Sequence, residues 1–372
     1  MVCTPIQQQS SYIYLHPRCM PIPSLFTPAT LFVNPTYQTF PSTGPVRILN
    51  IDNSAYANYF MYSAPADGLN STIEQLASQM FLGPRTIVDR LAVATAAGGV
   101  ILPITPPYVN ASYEIHFQGP WVQCAKANDT QVATLDQLIS QQMQTQDNIT
   151  QLVNAYYAYV PNLSAPDQAG IIVDRLQQPS NGSNELWLSF KRNGTGYTSD
   201  PVLTCPITEY RICKLYNANY DLTFTFMEGN QMVEGYPPTN LTEVAYPVLN
   251  LTAPSDLVQL AYSAYMWAFT NQLVGSMGFY NDTSTNKTTP AEYSEIKTGI
   301  GATSILGSSD LDCFFGTNSI LPEIPGSTSY TTTLSPQRQQ DIDLAKNGTL
   351  DDLIPELAFN TTVSLMNDVL LA

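Results

Sequence analysis

Positive charge is what this chain has least of. Among 372 residues there are 14 Lys and Arg against 30 Asp and Glu, which leaves a net charge of −16 and a pI near 4.3. Phosphate binding relies on clustered cations, so neither nucleic acid nor an anionic membrane surface is expected as a partner. Charged residues of both signs make up 12% of the chain, half the usual ~25%. Histidine is almost missing too: His16 and His116 cannot build a His-Glu-x-x-His helix or any paired metal site. The six cysteines include no Cys-x-x-Cys pair, which removes zinc-ribbon and thioredoxin-like chemistry. Gly-x-Ser-x-Gly, Asp-Thr-Gly, Asp-Ser-Gly and a phosphate-cradling glycine loop are absent as well. No cofactor is expected.

Long apolar runs are lacking, and none approaches 18 residues. Leu91 to Pro107 is broken by Gly98-Gly99, Pro103 and Pro106-Pro107, so it reads as a helix end followed by an extended segment. Leu257 to Met277 carries Gln259, Asn271 and Gln272 and reads as a buried helix. The N-terminus, Met1-Val-Cys-Thr-Pro-Ile, has no basic region followed by an apolar one, so no secretory leader is visible.

What the chain has in abundance is neutral polarity: 66 Ser and Thr, 25 Asn and 24 Gln. Thirteen of the Asn lie in Asn-x-Ser/Thr with x not Pro: Asn70, Asn110, Asn128, Asn148, Asn162, Asn181, Asn193, Asn240, Asn250, Asn281, Asn286, Asn347 and Asn360. Chance would place roughly four there. The excess points to a secretory route that adds N-glycans, whose hydration replaces the missing Lys and Glu. An even set of cysteines, Cys3, Cys19, Cys124, Cys205, Cys213 and Cys313, fits that compartment and suggests disulfides, with fifteen connectivities open if all six pair. Cys205 and Cys213 are the only close pair. A lumenal or extracellular chain without an address is expected to be part of a larger product, or a gene model lacking its membrane segments.

The pattern along the chain predicts an α+β fold. Residues 1–46 hold eight of the 28 Pro and read as an extended arm; residues 47–372 read as a single glycosylated α+β domain. A helical block is expected from Ser71 to about Ala97, interrupted at Gly83-Pro84 and opened by a capping-box spacing at Ser71-Thr-Ile-Glu74. A longer helix is expected from Thr134 to Tyr159 on an apolar stripe that includes Leu135, Leu138, Ile139, Val153 and Tyr156. Alternation at Leu186, Leu188 and Phe190, and at Leu222, Phe224 and Phe226, predicts strands. Arg211–Tyr216, Gln231–Tyr236 and Val244–Leu251 complete an antiparallel sheet in the chain centre. Helices at Pro254–Met277 and Leu350–Leu371 then pack on it, together with those of the N-terminal block.

Candidates for chemistry are few. His116, in the alternating Tyr113-Glu-Ile-His-Phe, reads as a surface or structural residue ahead of a catalytic one. Asp310 and Asp312 are the most conspicuous acid pair, and two carboxylates suffice for glycoside hydrolysis; an acidic turn ahead of an apolar segment is the plainer interpretation. Trp121, Trp187 and Trp267, with 22 Tyr, suit either a sugar-binding surface or the core, and strand spacing favours the core.

Four stretches carry a resemblance: Pro23-Ser-Leu-Phe-Thr-Pro-Ala-Thr-Leu; Asn110-Ala-Ser-Tyr with Phe117-Gln-Gly-Pro and Cys124; Cys213-x-x-x-Asn217-Ala-Asn-Tyr220 running into Phe224, Phe226 and Gly229-Asn-Gln231; and Leu357-x-x-Asn360-Thr-Thr-Val-Ser-Leu-Met. Together, over about residues 18 to 370, the chain resembles the extracellular or lumenal region of a fungal family of uncharacterised multi-pass membrane glycoproteins. The resemblance implies membrane helices before and after the domain, segments this chain lacks, and implies no catalytic residues. Some relatives carry a formylmethionine-deformylase-like label, yet the metal motif of a deformylase is absent here. It also implies that Cys124 pairs with Cys213. The resulting expectation is a non-enzymatic, membrane-associated exodomain that meets a cell-surface protein or cell-wall carbohydrate. The alternatives are a secreted acid-acting glycan enzyme and a carbohydrate-binding module.

Overall fold

The computed structural model describes residues 4–8, 37–51, 54–63, 77–143, 149–162, 183–192, 207–246, 254–282, 291–311, 347–368 and 371. Its strands are β1 (Thr4–Gln8), β2 (Tyr37–Thr39), β3 (Ala57–Ser63), β4 (Ala77–Pro84), β5 (Ala111–Lys126), β6 (Ile149–Tyr159), β7 (Glu185–Arg192), β8 (Ile207–Met227), β9 (Asn230–Glu234), β10 (Thr239–Glu243), β11 (Gly275–Asp282) and β12 (Ala291–Thr298). The α-helices are α1 (Thr86–Gly98), α2 (Asp129–Met143), α3 (Pro254–Thr270) and α4 (Leu350–Ser364). Ten strands form one sheet in the order β12-β11-β6-β7-β8-β5-β1-β2, with β9 and β10 also paired to β8. Every pairing in it is antiparallel. The fold is α+β with a central antiparallel sheet, as the sequence pattern predicts.

The axis of that sheet is the β5–β8 ladder, in register from Ala111↔Phe226 to Lys126↔Arg211. The other edge of β8 is shared: β7 takes its first part, β10 its middle and β9 its end. The β8–β9 hairpin closes on Glu228 and Gly229, both at positive φ (52° and 83°), the twist a two-residue turn needs.

Alternation along the central ladder inverts halfway. In β5 the buried positions are Ala111, Tyr113 and Ile115, then every residue from 119 to 122; in β8 the residues packed into the main core are Cys213 and Leu215, then Ala218, Tyr220, Leu222, Phe224 and Phe226, while Ile212 faces the other way. The pleat changes phase in both strands at the rungs Pro120↔Asn217 and Trp121↔Tyr216, with no change of register. At that point the Pro120 carbonyl turns into the core and accepts from the Tyr220 hydroxyl at 2.6 Å and the Thr362 hydroxyl at 2.7 Å. A Cβ on neighbouring Gly119 would meet Leu49 at 3.0 Å and Thr362 at 3.2 Å, so a larger residue there would press on the Leu49 and Thr362 side chains beneath α4.

One core cluster draws on chain from Leu49 to Leu371 and joins α1, α3 and α4 to the inner face of the sheet. Residues 260–270 of α3 are buried on all sides except at Trp267, as befits a helix apolar all round. Buried tyrosines pin these layers: Tyr56, Tyr156 and Tyr265 donate to the carbonyls of Leu371, Leu273 and Ala358. A second cluster, Leu135 and Leu138 of α2 with Tyr157, Tyr159, Trp187 and Ile212, covers the opposite face of β6–β8.

That double cover explains the main departure from the sequence pattern. The helix expected over Thr134–Tyr159 is α2 followed by β6. Residues 155–160 are buried on both faces, and a strand buried twice loses its period of two. Of the block expected to be helical from Ser71 to about Ala97, the part beyond Gly83-Pro84 is α1, whereas Ala77–Pro84 is strand, because β3 supplies a pairing partner that local propensity does not register; residues 71–76 lie outside the described residues. Pro254–Met277 divides in the same way, into α3 and the start of β11. In place of the strand expected over Val244–Leu251, β10 falls at Thr239–Glu243; Val244–Tyr246 follow without regular structure, and residues 247–251 lie outside the described residues. Arg211–Tyr216 is part of β8, and the final helix ends at Ser364 before a 3-10 turn over Leu365–Asn367. Of the proline-rich arm, β1 and β2 are described and pair with each other, β1 also with β5; residues 9–36 lie outside the described residues.

Candidate functional site

His116 and Asp221 face each other across the β5–β8 ladder on the outer side of the sheet, Nδ1 to Oδ1 at 2.7 Å. Their side chains are 69% and 65% exposed. Alternation puts them there: Ile115 and Leu222 go inward, so their neighbours go out. The serine of this face of β5, Ser112, lies four residues along, roughly 13 Å away, and its hydroxyl is hydrogen-bonded to that of Thr225. The pair is a solvated cross-strand contact, and among the described residues no hydroxyl is hydrogen-bonded to it.

Asp310 has the opposite character, being 2% exposed. Its Oδ2 accepts from the Leu350 N–H at 2.8 Å, capping the start of α4 where a negative charge complements the helix dipole. The Arg192 Nε stands 3.1 Å from Oδ1, a charge contact not aligned as a hydrogen bond. Burial pushes this carboxyl above its ordinary 3.8, while the Leu350 N–H and Arg192 pull it back down. Next to it, Arg211 joins Asp351 of α4 (2.7 Å) to Glu209 (2.8 Å) and lies 5.9 Å from the centre of the Phe190 ring. The Asp351 carboxylate, ahead of Glu209, holds this guanidinium above its usual value. The cluster fastens α4 to β7 and β8. Asp310 is committed to that task, and Asp312 lies outside the described residues.

The tryptophans are packing residues. Trp121 and Trp187 are buried, Trp187 donating to Glu185 at 2.7 Å and meeting Tyr159 edge to face. Trp267 lies between Phe81 and Gly83. None is displayed as a sugar platform. Among the described residues, no group of three or more His, Cys, Asp or Glu is placed to hold a metal ion.

Cys124 and Cys213 are directly opposite in the ladder and form a disulfide that closes a separation of 89 residues. The inverted pleat places both in the inward row, with Cys213 fully buried. Cys3, Cys19, Cys205 and Cys313 lie outside the described residues.

The acceptor asparagines sit where elements end. Asn128 caps α2: its Oδ1 accepts from the Gln131 N–H, and the Gln131 side chain accepts from the Asn128 N–H, both at 2.9 Å. This reciprocal box escapes a sequence reading that looks for Ser or Thr first. Its Nδ2 takes no part in the box. Asn240 is exposed at positive φ (52°) where β10 slips register against β8. Asn347 is exposed just before α4. Asn110 is half-buried at the start of β5, its Oδ1 accepting from the Glu228 N–H, and Asn162 is half-buried past the end of β6. Asn281 lies on β11. Asn360 departs from the rest: it is buried within α4, and its Nδ2 donates to the Gly99 carbonyl at 3.1 Å. Asn70, Asn148, Asn181, Asn193, Asn250 and Asn286 lie outside the described residues.

Among the described residues no helix is long and apolar enough to cross a membrane. Comparisons with protein-family profiles, curated proteins and solved structures each find no match to this chain.

Proposed function

We propose that this chain is a non-enzymatic, N-glycosylated domain carried on the extracellular or lumenal side of a fungal membrane. Its attachment runs through segments outside this chain. Its role is contact with a cell-surface protein or cell-wall carbohydrate, in adhesion, sensing or wall association.

The observation that carries the reading is the placement of Asn128, Asn240 and Asn347. Each acceptor is exposed at a cap, a bulge or an element start, where a glycan costs the fold nothing. The Cys124–Cys213 disulfide supports the same oxidising compartment. Commitment of Asp310 to α4 and burial of Trp121 and Trp187 weigh against the acid glycan enzyme and the carbohydrate-binding module.

Protein isolated from its own host and treated with an N-glycosidase should lose the mass of several glycans, mapping to Asn128, Asn240 and Asn347. It should sediment with membranes before detergent is added. Loss of no mass would overturn the reading.

A further inference from the structure

We infer that the Asn360-Thr361-Thr362 acceptor triplet is a core fastening of α4, so that its glycosylation and the docking of α4 exclude each other. Asn360 is 7% exposed and Thr362 is 0% exposed. The Asn360 amide reaches the carbonyl of Gly99, the left-handed residue that ends α1. Two residues on, the Thr362 hydroxyl reaches the inverted Pro120 carbonyl of β5. Ser364 completes the row by accepting from the Leu102 N–H at 2.9 Å. Three polar side chains of one helix thus bind backbone groups in two parts of the chain, the segment that follows α1 and the bend of β5, where the Pro120 carbonyl is shared with the Tyr220 hydroxyl.

Glycan transfer joins the amide nitrogen to C1 of a sugar, breaks the bond from that carbon to its lipid-diphosphate carrier and releases one amide proton. The product carries a hydrated oligosaccharide on an atom packed 3.1 Å from the Gly99 carbonyl. Such a group does not fit beneath α4. The transferase also needs the Thr hydroxyl, which here is donated to Pro120. Folding of α4 hides the acceptor; modification before folding holds α4 off the sheet and draws the chain out of the folding equilibrium. Asn128, Asn240 and Asn347 lack this conflict, since each is exposed.

The test uses the full chain behind a secretion leader in an N-glycosylating host. The leader imposes the route, so failure of the native-host experiment above would leave this inference standing. In secreted, protease-resistant protein, glycosidase-catalysed labelling should find glycans at Asn128, Asn240 and Asn347 and none at Asn360. Asn360→Gln should give a secreted product with no glycan's mass lost and a lower Tm. Leu353→Ala, which loosens α4 without touching the triplet, should raise Asn360 occupancy in the cell-retained fraction about tenfold. A secreted wild-type chain modified at Asn360 as fully as at Asn347, or an Asn360→Gln product lighter by one glycan, would overturn it.

Discussion

Single side chains here often hold two duties that substitution can separate. Asn128 caps α2 through Oδ1, and its Nδ2 is the atom that would accept a glycan under the proposed function. Asn128→Asp keeps the cap and removes the acceptor, so the glycosylated product should lose one glycan's mass with thermal stability nearly unchanged. Asn128→Ala should lose the glycan and about 1 kcal/mol of stability. Calorimetry beside intact mass measures both, and equal stability of the two variants would contradict the cap. Asp89 illustrates a titration. Burial, opposed by a hydrogen bond from Asn271, raises its carboxyl above the ordinary 3.8. A carboxyl raised on folding contributes stability that is complete below 3.8 and is lost as pH rises through the folded value. Urea midpoints should therefore decline with rising pH from about 3.8 in the wild type, and decline less in Asp89→Asn. Parallel pH profiles for the two proteins would show that Asp89 stays ionised. The sequence reveals the identity of such residues but not their burial: Asp310 reads as an acidic turn, and only the fold shows its carboxylate beneath the N-terminus of α4.

At the scale of elements, legibility follows exposure. The end of β8 can be read directly, since polar residues alternate with Leu222 and Phe224; β7 is covered on both faces and keeps a readable pattern through Ser189, which stands between Leu188 and Phe190. β6 cannot be read, because Tyr156 and Ala158 enter one core while Tyr157 and Tyr159 enter the other. The composition of β4 likewise does not announce its pairing with β3, the strand that precedes it in the chain. The strongest cross-link between elements is the Cys124–Cys213 bond, which closes a long loop in the unfolded chain. Replacing both cysteines by Ala should cost about 2–4 kcal/mol in denaturant unfolding. An unchanged midpoint would mean the bond adds nothing to a ladder already in register.

For the whole molecule, the α+β class is readable from the order of patterns, whereas the two-sided cover of the sheet is not. It depends on α2 lying opposite α1, α3 and α4. One global property follows from the buried tyrosines. Burial raises the hydroxyls of Tyr56, Tyr156, Tyr220 and Tyr265 above their ordinary 10.0. Stability from these groups is complete below 10.0 and is lost as pH climbs toward the folded values, because only the unfolded chain can ionise them. In alkaline titration, tyrosinate absorbance from these four should appear only together with loss of near-ultraviolet dichroism. Smooth titration of all 22 tyrosines in a still-folded protein would refute this.

The shared phase inversion of β5 and β8 makes the lengths of two distant stretches of chain interdependent. Dropping one residue from either strand alone slides half the ladder by a rung and turns either the Tyr113 row or the Cys124 row outward. Dropping Pro120 and Asn217 together restores simple alternation, with both rows still facing inward. Circular dichroism of the two single deletions and the paired one should find a folded protein only in the pair. Length change at this bend is thus a coordinated event, and a gene that trims one strand must trim its partner about a hundred codons away.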